Sequence, residues 1–196
     1  MAEITLRPYQ EEAVTLIVDR LNVLLALVMG AGKTVVSIEA VKRLRQEEPM
    51  LQATVFATSS LKYQWQAEIN KFDPEASVVV IDGDKAKRHV QYRNLRYTDY
   101  VILSYDMLIH DWDMVRKYLP RDAVIADEVT AIKGFTSKRS KRLKSFSSHS
   151  PVRIGLSGQP VENRPEELFS IMEFIDPTVL GSFDQFDRTF ITRNHW

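Results

Sequence analysis

The chain has 196 residues, 44% apolar and 27% charged, an ordinary globular composition in a chain long enough to bury roughly 70% of its unfolded surface. Its 26 basic residues match its 26 acidic ones, so net charge argues neither for nor against a nucleic-acid partner, and only a local patch could. With no cysteine, a disulfide framework and thiolate metal sites are excluded.

The first eight residues, Met-Ala-Glu-Ile-Thr-Leu-Arg-Pro, have neither the basic nor the apolar region of a signal peptide. The apolar run Val23 to Met29 is far too short to span a bilayer, and the expectation is an intracellular, soluble protein without a membrane partner. Pro8 suits the first turn of a helix whose apolar positions Ala13, Val14, Ile17, Val18 and Leu21 make one face. Gln10 lies in that turn, and its amide can both donate to and accept from the edge of an adenine ring.

Next comes Val23 to Thr34, an apolar run that stops in Gly30, Gly32, Lys33 and Thr34 and is followed by helical spacing through Val36, Ala40, Val41 and Leu44. This predicts a buried strand, a phosphate loop and a helix. The glycines let backbone N–H groups turn toward phosphate oxygens. Lys33 would reach the β and γ phosphates of a nucleoside triphosphate, and the Thr34 hydroxyl would ligate Mg²⁺ at a helix N-terminus. The pattern is degenerate: the full motif has glycine five positions before Gly32, where this chain has Leu27.

Beyond the loop, apolar runs at Ala53–Thr58, Ser77–Ile81, Tyr100–Ser104, Ala123–Ala126 and Val152–Leu156 read as strands. Between them Leu61–Phe72, Lys85–Leu95, Trp112–Tyr118, Ser137–Ser147 and Pro165–Phe174 read as helices. Continuous apolar strands alternating with helices predict an α/β fold, a three-layer parallel sheet with helices on both faces. Ligands of such sheets gather at the carboxyl ends of the strands. Val124-Ile-Ala-Asp127-Glu128 ends a strand in two carboxylates; in phosphate-loop proteins the first holds Mg²⁺ and the second orients the attacking water. Basic residues cluster at Lys85, Lys87, Arg88, Arg93 and Arg96 and again at Lys138, Arg139, Lys141, Arg142 and Lys144, with Leu143 and Phe146 left to face inward. Either cluster could meet phosphates, and each taken singly reads more simply as a solvated helix face. Trp65, in register with Ile69 on its helix, reads as core rather than a base-stacking platform.

Taken together the segments resemble the Swi/Snf-type helicase-like ATPases of superfamily 2, double-stranded DNA translocases. Leu6-Arg7-Pro8-Tyr9-Gln10 resembles the glutamine motif, and Met29-Gly-Ala-Gly-Lys-Thr34 motif I. Ala57–Leu61 with Trp65, Glu68, Lys71 and Phe72 resembles motif Ia, Tyr100–Tyr105 motif Ib, and Asp127-Glu128 with Ile132-Lys133 motif II. Arg153 to Asn163, followed by Glu167–Ser170, Phe174, Pro177 and Gly181-Ser182, resembles motif III and the segment after it.

The resemblance implies that residues 1–196 form an N-terminal RecA-like, ATP-binding helicase lobe. The second lobe, which supplies arginine fingers and further DNA contacts, has no counterpart here. It implies ATP and Mg²⁺ as ligands, with Arg7, Gln10, Met29, Gly30, Ala31, Gly32, Lys33 and Thr34 around the nucleotide, Thr34 and Asp127 at the metal, and Lys33, Asp127 and Glu128 as the catalytic candidates. Ser59, Lys62, Ser104 and Tyr105, at strand ends, would touch the DNA backbone. An arginine finger is worth about 10³–10⁵ in rate, so the lobe alone is expected to turn over slowly.

The departures are Leu27 and Val28 where the family has two acidic residues, Val129 and Thr130 after Asp-Glu, and Ser157-Gly-Gln159-Pro160 in motif III. They point toward a viral or bacterial member. The rival readings are a non-catalytic DNA- or protein-binding module with a vestigial nucleotide site, which Leu27 and Val28 favour, and a small phosphate-loop kinase, which has no use for motif III.

Overall fold

The computed structural model describes residues 5–160 and 164–191. Val161, Glu162 and Asn163, the end of the motif III block, lie outside the described residues.

Six strands form one all-parallel sheet: β1 (Asn22–Ala26), β2 (Ala53–Ala57), β3 (Val78–Val80), β4 (Tyr100–Ser104), β5 (Ala123–Ala126) and β6 (Val152–Ser157), in the spatial order β1-β6-β5-β2-β4-β3. The helices are α1 (Pro8–Arg20), α2 (Lys33–Glu47), α3 (Lys62–Phe72), α4 (Lys85–Asn94), α5 (Met107–His110), α6 (Trp112–Tyr118), α7 (Lys138–Ser147), α8 (Pro165–Ile175) and α9 (Phe183–Phe190).

The two-residue period of the strands divides the core. Val55, Ile102, Ile125 and Ile154 join α1, α2 and α3 through Val14, Ile17, Val36, Val41, Trp65 and Ile69. Their neighbours Phe56, Val101, Leu103 and Val124 face the other way, onto Tyr92, Leu108, Val115, Leu143, Phe146, Ile171 and Phe174 of α4 to α8. Every residue of β2, β4 and β5 is buried, as sheet strands covered on both faces must be. The three-layer expectation therefore holds, and Leu143 and Phe146 do face inward.

Most predicted elements recur within a residue or two. The first strand is shorter: it stops at Ala26, so Leu27, Val28 and Met29 belong to the loop. Sequence reading did not foresee α5, the 3₁₀ turn Val129–Ile132, or α9. Pro8 occupies the first turn of α1, as expected, and the Ser137 and Ser182 hydroxyls cap α7 and α9. No helix among the described residues is long and apolar enough to cross a membrane.

Candidate nucleotide site

Because all six strands run parallel, the segments after β1, β2, β4 and β5 emerge on one edge. There the loop after β1 faces the end of β5 across a cleft of about 490 Å³, lined by Met29, Gly30, Gly32, Lys33, Thr34 and Val35, by Leu61, Gln64, Trp65, Glu68 and Phe72 of the α3 segment, and by Asp127 and Glu128.

Gly30 and Gly32 both have left-handed backbones, φ +78° and +87°. At Gly32 a Cβ would also lie 2.3 Å from Gln10 Nε2, so a side chain there is strained by conformation and would have to displace the Gln10 amide. Gln10, 9% exposed, is engaged at both ends of its amide: its Nε2 donates to the Ala31 carbonyl at 3.0 Å, and its Oε1 accepts the Arg7 backbone N–H at 2.9 Å, which leaves one N–H and one lone pair free of these bonds. The Tyr9 hydroxyl donates to the same Ala31 carbonyl at 2.9 Å. Thus α1 braces the loop after β1, with Arg7 itself exposed at the helix start. Lys33 Nζ folds back to donate to the Leu27 carbonyl at 3.0 Å and the Val28 carbonyl at 3.4 Å. Thr34, partly exposed, lies in the first turn of α2.

Opposite, Asp127 is only 7% exposed. Its Oδ2 accepts the Trp65 indole N–H at 2.8 Å, its Oδ1 the Glu128 N–H at 3.0 Å, and its carbonyl the Tyr105 hydroxyl at 2.9 Å. Burial raises the Asp127 carboxyl above its ordinary range, against the opposing pull of the Trp65 and Glu128 hydrogen bonds and the Lys33 charge. Glu128 has φ +47°, a left-handed backbone that costs a side-chain-bearing residue energy and that turns the chain sharply at the cleft.

Among the described residues no group of three or more His, Asp or Glu could hold a metal by itself. Thr34 and Asp127 offer one hydroxyl and one carboxylate, a donor set that suits Mg²⁺, which takes one or two protein ligands and completes its shell with phosphate oxygens and water. The oxygens of Asp127 keep free lone pairs after the two hydrogen bonds described, so the residues present fit such an ion.

Of the predicted nucleotide and metal residues, Met29, Gly30, Gly32, Lys33, Thr34, Asp127 and Glu128 line one cleft, while Arg7, Gln10 and Ala31 lie outside its lining; the predicted DNA residues are not gathered there. Ser59 is exposed in the turn after β2. Lys62 is 4% exposed, its Nζ donating to Asp82 Oδ1 at 2.6 Å and the Ile81 carbonyl at 3.3 Å. Ser104 and Tyr105 are buried too. Contact with the DNA backbone through these three side chains is corrected: Lys62 and Tyr105 are spent on partners inside the domain, and the Ser104 hydroxyl is buried away from the surface. Of the basic clusters, Arg88 pairs with Asp111, Arg139 with Asp106 and Lys144 with Glu173, while Arg142 donates to the Leu108 and Ile109 carbonyls. Lys85, Lys87, Arg93, Arg96, Lys138 and Lys141 remain exposed.

Sequence reading missed Tyr9 as a brace and Trp65 as a partner of Asp127. The one available signal was chemical: a buried tryptophan needs an acceptor for its N–H.

The SNF2-related domain family matches residues 9–195. The chromatin-remodeling ATPase INO80 of Candida glabrata is 32% identical over 97% of this chain, and that of Saccharomyces cerevisiae (strain YJM789) 31% identical over 95%. The chain spans 14% and 13% of the length of those two relatives. Among solved structures, the Sulfolobus solfataricus SWI2/SNF2 ATPase core in complex with dsDNA superposes with a TM-score of 0.82 at 28% identity, covering 95% of this chain and 39% of that one. Sheet order, motif placement and a match running almost end to end agree: the chain belongs to the SNF2-related domain family, and its fold is the RecA-like lobe of a SWI2/SNF2 core.

Proposed function

We propose that this chain is the first motor lobe of an ATP-dependent double-stranded DNA translocase. The observation that carries the reading is the cleft in which Gly30, Gly32, Lys33 and Thr34 face Asp127 and Glu128. Two relatives named as ATPases and a SWI2/SNF2 core solved with dsDNA support it.

In this reading Lys33 leaves the Leu27 and Val28 carbonyls and pairs with phosphate oxygens, while the loop N–H groups and the start of α2 receive the remaining negative charge. Mg²⁺, when bound with ATP, neutralises charge on the phosphates and would be held by Thr34 and Asp127. Glu128 orients the attacking water from the turn that its left-handed backbone creates. Gln10 and Arg7, with Tyr9 beside them, take the adenine side. Arginine fingers come from a second RecA-like lobe outside these residues, so this chain alone turns over slowly.

On the DNA side, Ser59 in the exposed turn after β2 is the remaining candidate for a backbone contact. Contacts to phosphate do not read sequence, so duplex binding is expected to be indifferent to sequence and to weaken steeply with salt.

The test is ATP binding and turnover at low salt, with and without linear duplex DNA, with Lys33→Ala as the blank. Mg²⁺-dependent ATP binding lost in Lys33→Ala supports the reading, and duplex-stimulated turnover extends it. The second reading, a binding module with a vestigial nucleotide site, is favoured by Leu27 and Val28 in place of the acidic pair. Duplex binding without any ATP binding would select it.

A further inference from the structure

One long-range contact in the cleft has no role in the mechanism above. Trp65 sits in α3, 62 residues before Asp127 in the chain, and is 1% exposed. Its ring packs with Ile69 among the core residues between α3 and the sheet. Its indole N–H reaches the cleft and donates to Asp127 Oδ2.

The other restraints on Asp127 are of a different kind. Glu128 N–H to Oδ1 is a contact between adjacent residues, and the Tyr105 hydroxyl holds the carbonyl rather than the carboxylate. Among the hydrogen bonds that described residues make to the carboxylate, Trp65 is the one that ties its orientation to another element. A buried indole could satisfy its N–H on any carbonyl; here it is spent on a carboxylate that burial makes costly to ionise. An indole N–H donates and cannot accept or ligate, so it can hold one side of the carboxylate without competing for a cation.

We propose that Trp65 is a positioning residue for Asp127: its N–H fixes the carboxylate in one orientation, so that the metal-dependent part of nucleotide binding depends on a side chain that need not touch the metal. The inference rests on the reading of the cleft as an Mg-ATP site.

The experiment measures ATP affinity of this chain by calorimetry, once with Mg²⁺ and once with EDTA, for the wild type, Trp65→Phe, Asp127→Ala and the double variant. The phenyl ring keeps most of the packing and removes the donor. Expected is a loss of about tenfold or more in Trp65→Phe with Mg²⁺, as when other outer partners of metal ligands are removed, and no change in EDTA. In the Asp127→Ala background, Trp65→Phe should cost nothing further. Equal losses with and without metal, no loss with metal, or additive losses in the double variant would each overturn the proposal. If the wild type binds no ATP in either condition, the nucleotide reading itself falls and the inference with it.

Should Trp65→Phe not fold, the indole N–H resonance of Trp65 in the wild type and in Asp127→Ala gives the second measurement. An upfield shift with faster solvent exchange in Asp127→Ala is expected, and an unchanged resonance would overturn the contact.

Discussion

The two strand ends that meet across the cleft are built in opposite ways. After β1 the chain is open: Val28 is 72% exposed and Met29 86%, and a Cβ on Gly30 would meet nothing within 4 Å. Lys33 rests on carbonyls of its own loop. After β5 every polar atom of Asp127 is engaged, its N–H on the Phe56 carbonyl at 2.8 Å, its own carbonyl by Tyr105, its carboxylate by Trp65 and Glu128. The contrast fits the chemistry proposed for each side. A group that must present a fixed carboxylate gains from being held before the ligand arrives, whereas a loop that must wrap a polyanion needs free N–H groups and open space.

The sharpest way to break the comparison is at Lys33. In the two-lobed ATPase proposed above, Lys33→Ala should slow ATP turnover by about 10²–10³-fold, the usual cost of removing one preorganised charge partner. Its melting temperature should barely move, because the freed Leu27 and Val28 carbonyls can be hydrated.

At the pinned side the effect should appear as stability instead. Tyr105→Phe removes the donor to a buried carbonyl and should cost about 1–3 kcal/mol by urea unfolding. Because the hydroxyl is already spent inside the domain, duplex affinity should stay unchanged. A stable Tyr105→Phe with weakened DNA binding would restore the surface role that burial argues against.

Gly32→Ala sharpens the comparison within the loop, since it forces a side-chain residue to φ +87° and against Gln10. The backbone part should cost about 1–2 kcal/mol. Adding Gln10→Ala should recover the steric part alone, which thermal melts of the single and double variants would separate. The smallest effect belongs to Met29→Ser, expected within about 0.5 kcal/mol of the wild type because that side chain is almost wholly in solvent. A larger loss there would mean that the loop is packed rather than open.

The sequence by itself determined the layers, the parallel sheet and the single active edge. Apolar runs of strand length between helical stretches admit few other arrangements, and the order of Gly30, Gly32, Lys33 and Thr34 against Asp127 and Glu128 is local chemistry that neighbouring residues carry. Trp65 was legible as core from its register with Ile69. What it pairs with was not, because that depends on which strands lie side by side.

Only the tertiary structure set the order β5-β2-β4, which brings the end of β4 and the start of α3 against Asp127. That order spends Tyr105 and Trp65 on Asp127 and turns Lys62 toward Asp82. A residue just past a strand end can face solvent, cleft or core with the same sequence neighbours. Partners 20 to 62 residues away decide between them, and no local pattern encodes which will arrive.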